Sequence, residues 1–298
     1  MSDVDFSAEK YEKHRQAGEI LADVREQARE RVEVGASHLE LVEWIEDQII
    51  EQGGKPAFPV NVSIDEEAAH ATPAIDDGST FGEEVVTIDI GVSVDGWLAD
   101  SAVTIDLAGQ DQLVEASEEA LDAALELVEP GIETGEIGRV VEETIDGYGF
   151  NPVVNLTGHG LGHYEQHTSP NIPNRAVDQS VTLEAGDVVA VEPFVTDGAG
   201  KVREGSDEEI FALDREGSVR DRQARQALEQ ITEEFKTLPF ATRWLDVKRP
   251  SMALQRLKQQ SIVHGYPVLK EADGTYVSQT EHTIIVTEDG CEVTTRRR

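Results

Sequence analysis

Four carboxylates and one imidazole, Asp89, Asp100, Glu192, Glu281 and His159, each lie in or beside an apolar, strand-like run. A carboxylate in such a run is costly to bury unless a cation or a hydrogen-bond partner compensates it. A pair of divalent ions would compensate all five groups together and could activate a water for hydrolysis. The pattern predicts a two-metal hydrolytic site.

The Asp pair gives the sharpest geometric expectation. Val85–Val94 reads as one strand and Trp97 onward as its return, with Asp95-Gly96 as a two-residue turn. That register sets Val94 opposite Trp97 and Asp89 opposite Ala102. Asp100 then shares a sheet face with Asp89 as a diagonal neighbour, roughly 7–8 Å away between backbones. Two like charges on one face repel unless a cation sits between them. A solvated edge position would explain Asp100 alone, but not Asp89, which Ile88 and Ile90 flank.

Three histidines, His159, His163 and His167, fall within nine positions of a Gly-rich stretch. His159 and His163 have the i, i+4 spacing of a helical zinc motif, but Gly160 and Gly162 argue against a helix there. One ligand, one substrate contact and one incidental histidine are expected. Glu192 ends the apolar run Val188–Val191 before Pro193, and Glu281 precedes His282–Val286. Taken singly, each glutamate fits a buried ion pair or hydrogen-bonded carboxylate equally well.

The elements that must position these groups follow from periodicity. Residues 7–52 read as helix in two runs: Ile20, Val24, Ala28 and Val32, then Leu39, Val42, Ile45 and Ile49. Ser37 is an expected cap, with Glu40 three residues on. His14 and His38 are expected at the surface or in a cap region. Gly53–Pro56 breaks the helix, and Ala57–Ile64 is extended. Helices are expected over 112–128 and 136–148, with Thr134 capping the second. Residues 153–173 read as loop with short strands, 187–195 and 209–213 as strands, 218–261 as helical, and 277–288 and 291–294 as strands. Leu228, Ile231, Phe235 and Leu238 are expected on one helical face. The fold class is α+β with a late helical insertion.

Composition sets the outer bounds. Sixty acidic residues face 25 basic ones, a net charge of −35, and only eight of the basic residues are Lys. The acids are spread along the chain, as on a solvated surface adapted to a salt-rich cytoplasm, where salt screens self-repulsion. Nucleic acid is not an expected direct partner, because phosphate binding needs clustered Lys and Arg. Arg296-Arg297-Arg298 is too small a cluster to change that. Cys291 is the sole cysteine, which excludes an intrachain disulfide and fits a reducing compartment. Met1–Lys10 has no signal-peptide core and no run is apolar enough to span a bilayer, so a soluble cytoplasmic protein without membrane contact is expected.

The sequence resembles the methionine aminopeptidases, specifically their type 2 branch, over nearly its whole length. The motifs are AFPVNVSIDEEAAH ending at His70, IDIGVSVDGWLAD with Asp89 and Asp100, and NLTGHGLGHYEQH with His159 and His167. VEPF with Glu192 and TEHTI with Glu281 complete the set. The segment from Val219 to His264, with FATRWL at Phe240–Leu245, resembles the helical subdomain that separates type 2 from type 1. The resemblance implies a pita-bread fold of two pseudo-symmetric α+β halves, formed by residues 1–218 and 265–298, with 219–264 inserted. It implies that Asp89 holds one metal, His159 and Glu192 the other, and that Asp100 and Glu281 bridge both. This donor set suits Co, Mn, Fe or Zn. It further implies that His70 and His167 contact the scissile peptide, that Glu192 shuttles protons, and that Phe58 and Tyr266 line a methionine pocket with His264 near its rim. His163 and Gln166 stand where the family pattern fixes no residue. The expected partners are nascent polypeptide N-termini with a small second residue, the ribosome being a candidate place of encounter, and the expected state is a monomer.

Two rivals stay open. One is a prolidase or aminopeptidase P-like peptidase; such proteins carry an extra N-terminal domain where this chain has one helical pair. The other is a non-catalytic pita-bread binding protein; such relatives lose metal ligands and gain basic surface.

Overall fold

The structure, a computed structural model, describes residues 4–297. Met1–Asp3 and the last arginine of the terminal trio, Arg298, lie outside the described residues. In chain order the main elements are α1 (Glu9–Arg29), α2 (His38–Glu51), β1 (Asn61–Ile64), β2 (Val85–Val94), β3 (Trp97–Asp106), α3 (Asp111–Leu127) and α4 (Thr134–Tyr148). Then come β4 (Thr157–Gly162), β5 (Glu165–Pro173), β6 (Val188–Val191), β7 (Phe194–Thr196), β8 (Ile210–Leu213), α5 (Arg222–Gln230) and β9 (Phe240–Ala241). The chain closes with α6 (Pro250–Lys258), β10 (Val263–Tyr266), β11 (Val277–Gln279), β12 (His282–Val286) and β13 (Cys291–Val293).

Two helix-on-sheet halves result. In the first, α1 and α2 cover the antiparallel sheet centred on β2, which pairs with β1 and β3. Their core is aliphatic: Leu21, Val24, Val42, Ile45, Ile49, Ile88 and Ile90 are all fully enclosed. In the second, α3 and α4 cover the sheet of order β13-β12-β6-β4-β5 around Leu121, Ile137, Val141, Val189 and Ile284. The halves are stitched where β3 meets β12. Thr283 Oγ1 accepts from Asp100 N at 2.7 Å and donates to Asp100 O at 2.8 Å, while Ser101 Oγ donates to Glu281 O at 2.5 Å. Both stitches fall beside expected ligands, so the seam between the halves fixes the backbone of the site.

A third cluster packs α5, α6, β8, β9 and β10 around Phe211, Leu228, Phe240, Leu254 and Leu257. It is tied back to α2 by a buried ion pair of Arg243 with Glu46, and by Trp244 Nε1 donating to Glu46 at 2.8 Å.

The structure corrects several local expectations. Within 153–173, residues 157–173 form a true hairpin, β4–β5. Strand 187–195 is interrupted at Glu192-Pro193, and strand 277–288 at Thr280-Glu281. The region 218–261 holds two nine-residue helices, a short π turn and a strand instead of continuous helix. Leu238 leaves the helical face and packs with Ala57, Phe58, Leu98 and Leu161. Thr134 starts α4 without capping it; its hydroxyl accepts from Val181 N at 3.3 Å. His14 is fully buried, Nδ1 2.6 Å from Leu98 O, and burial pushes it down to about 4, so it is neutral. Ser37 caps α2 as expected, accepting from Glu40 N at 3.3 Å.

Candidate metal centre

The β2–β3 register sets Val94 against Trp97, Asp89 against Ala102 and Asp100 against Gly91. The two Asp are thus diagonal neighbours on one face, as the Asp-Gly turn requires. Pro193, which lacks an N–H, ends the ladder beside Glu192 and lets that carboxylate leave the strand. Glu281 occupies the matching break between β11 and β12, its N–H donating to Ala102 O at 3.1 Å. His159 sits in β4 between Gly158 and Gly160. A Cβ on Gly158 would lie 2.3 Å from Ala190 O, and one on Gly160 2.4 Å from Ser169 O, so only glycine allows this close approach of strands around the imidazole.

All five groups line one cavity of about 90 Å³, together with Phe58, His70, Gln166, His167, Tyr266 and Gln279. Donor atoms of Asp100, His159 and Glu281 lie within 4.8 Å of one another. His159 Nε2 stands 3.6 Å from Glu192 Oε1 and 3.9 Å from Asp100 Oδ2. Its Nδ1 lies 3.2 Å from Gly160 O; donating there leaves the Nε2 lone pair facing the carboxylates, the tautomer a metal ligand needs. Burial pushes His159 down to about 4, so it is neutral.

The carboxylates are out of balance. Asp100 and Glu281 are almost fully buried. Burial drives Asp100, Glu192 and Glu281 well above the usual range, with their neighbours' charges adding to it, and burial pushes Asp89 up to about 7. Asp89 Oδ1, Asp100 Oδ1 and Glu281 Oε1 are buried with no hydrogen-bond partner. Unsatisfied buried carboxylate oxygens converging on one cavity fit divalent cations, which would neutralise the charge and accept the lone pairs.

The two flanking histidines differ. His70 has φ +65°, a left-handed backbone unusual for this residue type, and its Nδ1 lies 3.2 Å from Pro267 O. Donation to that carbonyl presents Nε2 as an acceptor into the cavity. Burial holds His70 below its usual value. His167 meets His159 edge-on at 4.4 Å between rings and is open to solvent on one side. It too is pushed down, by loss of water on the cavity side and then by His159 and His70. Tyr266 packs edge-on against His70 at 5.2 Å, and His264 joins the same row while pairing with Asp214 at 2.6 Å. Phe58 serves both core and cavity wall. His163 is the histidine outside the cavity, its Nε2 2.9 Å from Asp95 O. Gln166 lines the cavity, and its amide partly offsets the upward push on Asp100.

Two contributors were not read from the sequence. Gln279 donates to Glu192 Oε2 at 3.1 Å and to Glu281 Oε2 at 3.3 Å, holding both carboxylates with one buried amide. Arg25 is buried behind the seam, reaching Ser101 Oγ and, at 3.3 Å, His282 Nδ1; its charge partly offsets that of Glu281. Its place beside Leu21, Val24 and Ala28 on the buried face of α1 was the available signal. Gln279→Leu should weaken divalent-metal affinity about 10- to 100-fold, the usual effect of losing a hydrogen bond behind the ligands. Competition against a chelating dye measures this, and unchanged affinity would remove Gln279 from the site.

Fold and site together define a metal-dependent hydrolase on a pita-bread frame. The profile of Metallopeptidase family M24 matches residues 12–288. The methionine aminopeptidase of Archaeoglobus fulgidus is 48% identical over 286 residues, 96% of this chain and 98% of that one. The chain belongs to metallopeptidase family M24, among its methionine aminopeptidases of archaeal type. Two solved structures share the fold: a thermophilic Arx1 (TM-score 0.87, 18% identity, 97% of this chain and 91% of that one) and the methionine aminopeptidase of Thermotoga maritima (TM-score 0.73, 23% identity, all of both chains).

Proposed function

We propose that this chain removes the N-terminal methionine from nascent polypeptides, favouring a small second residue. The reading rests on one observation above the rest: four carboxylates and a neutral imidazole converge on one small cavity with three carboxylate oxygens unsatisfied. In this proposal Asp89, Asp100, His159, Glu192 and Glu281 would hold two divalent ions, of Co, Mn, Fe or Zn. When bound, they supply a water of lowered pKa and Lewis acidity toward a carbonyl.

The chain's own residues do the rest. His70, with Nδ1 committed to Pro267 O, offers Nε2 to the scissile peptide N–H. His167, neutral at the mouth, donates to the carbonyl oxygen as negative charge builds there. Glu192, whose carboxylate faces the same cavity, would carry a proton to the leaving amine. Phe58 and Tyr266 wall the side-chain pocket, and the segment 219–264 contributes Pro239 to the same wall.

The test is a substrate panel: Met-Ala-Ser and Ala-Pro, each with the metal-loaded protein at high salt. Methionine release without Ala-Pro cleavage is expected. Ala-Pro cleavage alone would move the reading to a prolidase-like peptidase. Turnover of neither, with no bound metal, would leave a binding protein.

We also propose that the enzyme works as a monomer in a salt-rich cytoplasm, its charge of −35 screened by ions. Its melting temperature should rise with KCl; a value independent of KCl would refute the salt requirement.

A further inference from the structure

The charge of −35 is not evenly shared. Residues 219–264 carry nine Lys and Arg against five Asp and Glu, while the remainder carries 16 against 55. One segment is therefore cationic in a strongly anionic protein, and the whole-chain balance hides it.

The structure gathers this charge at one end of the segment. Helix α5 buries Ala224, Ala227 and Leu228 and exposes Arg222 and Arg225, one turn apart, with Gln226. Helix α6 buries Ala253, Leu254 and Leu257 and exposes Met252, Gln255 and Arg256. The Gln223 side chain accepts from Lys248 N at 3.0 Å, which fixes the exposed Lys248-Arg249 loop beside the first turn of α5. Arg220 and Arg256 line one open cleft with Asp221, Ser218, Gln259 and Gln260. Among the described residues, Arg256 pairs with Asp221, while Arg220, Arg222, Arg225, Lys248 and Arg249 have no ion-pair partner. Of the segment's five acids, Asp221 is taken up by Arg256 and Asp246 lies two residues before Lys248, while Glu229, Glu233 and Glu234 sit at and beyond the far end of α5.

Unpaired cations on an acidic protein call for an explanation, since neighbouring carboxylates are the cheapest partners available. Five of the six exposed cations here are arginines, whose planar forks suit phosphate and can stack on bases. Glutamines and serines stand between them, neutral groups suited to ribose and phosphate oxygens. The acidic remainder repels a polyanion, so one would be admitted on this face alone.

We propose that the outer face of α5 and α6, with the Lys248-Arg249 loop, binds the phosphate backbone of folded RNA. The expectation that nucleic acid is no direct partner rested on the lack of a sizeable run of Lys and Arg in the sequence, whereas the fold brings these cations together from positions 220 to 256. This face shares no residue with the metal cavity, so RNA binding and peptide hydrolysis are separable.

The experiment uses the full, metal-loaded chain and a fluorescein-labelled RNA hairpin, over the KCl range in which the far-UV spectrum shows the protein folded. The wild type should bind, and R222E/R225E/K248E/R249E should bind at least tenfold more weakly. R175E, which reverses an exposed cation outside this face, should match the wild type. Methionine release from Met-Ala-Ser should be equal in all three, which shows that the variants are folded. Absence of RNA binding by the wild type, or equal binding by the fourfold variant, would overturn the proposal. So would displacement of the RNA by polyglutamate at equal charge concentration, which would assign the face to an acidic protein. Concentration-dependent self-association lost in the fourfold variant, without RNA binding, would assign it to a second copy.

Discussion

Glu281→Ala abolishes methionine release, lowering kcat/KM by about 10³-fold or more, if Glu281 lies between the two ions. The loss should at least match that of removing one donor from a charge-stabilising site. The same residue gives a readout apart from catalysis. In the metal-free protein Glu281 is a fully enclosed carboxylate facing Asp100, Glu192 and Asp89, and burial with those charges drives it toward the protonated form. Glu281→Gln keeps the shape and removes the charge. The metal-free Gln variant should therefore melt a few degrees above the metal-free wild type, although it is inactive when metal is added. Calorimetry of both forms measures this. Equal melting temperatures would mean that the glutamate experiences no repulsion, and hence that the cavity needs no cation.

Chelation of the metal should lower the melting temperature by on the order of 10 °C, from two ions bound well above their dissociation constants. The effect must also depend on pH, with a sign set by the direction of the carboxylate shifts. Asp89, Asp100, Glu192 and Glu281 are all raised in the folded, metal-free protein, Asp89 to about 7. A raised carboxylate binds more protons folded than unfolded, so stability falls as pH rises from the unfolded value, near 4, through the folded one. Each such proton is worth about 1.4 kcal/mol per pH unit within that window. The metal-free protein should thus lose stability between pH 5.5 and 8. Added metal should recover more at pH 8, where fewer protons compete for the ligands. Comparing the two forms at the same pH and salt cancels the general repulsion of the acidic surface. A gap between them that shrank as pH rose would contradict this account of the cavity.

What could be read from the sequence was local. The β2–β3 register followed from one Asp-Gly turn and an alternating apolar run, and with it came the shared face of Asp89 and Asp100. The Ser37 cap was equally local. Contacts across long separations were not readable. His14 is buried because its ring meets Leu98 O, 84 residues away, and nothing near position 14 announces that. Gln279 carries no signal as a strand glutamine; its role depends on Glu192, 87 residues earlier. The interruption at Glu192 had a local signal in Pro193 that the reading of 187–195 as one strand passed over, whereas the one at Glu281 has no proline and reads as continuous strand. The segment 218–261 misled because its helical periodicity is real in α5 and α6 but does not extend across the π turn and β9. Leu238 then departs with the turn and joins Phe58 at the pocket.

The most direct test of the central claim is methionine release from Met-Ala-Ser by one preparation, assayed as purified, after exhaustive chelation, and after return of Mn or Co. The account predicts release that disappears on chelation and returns with metal, in step with about two equivalents bound. Undiminished release from protein shown by elemental analysis to be metal-free would contradict it.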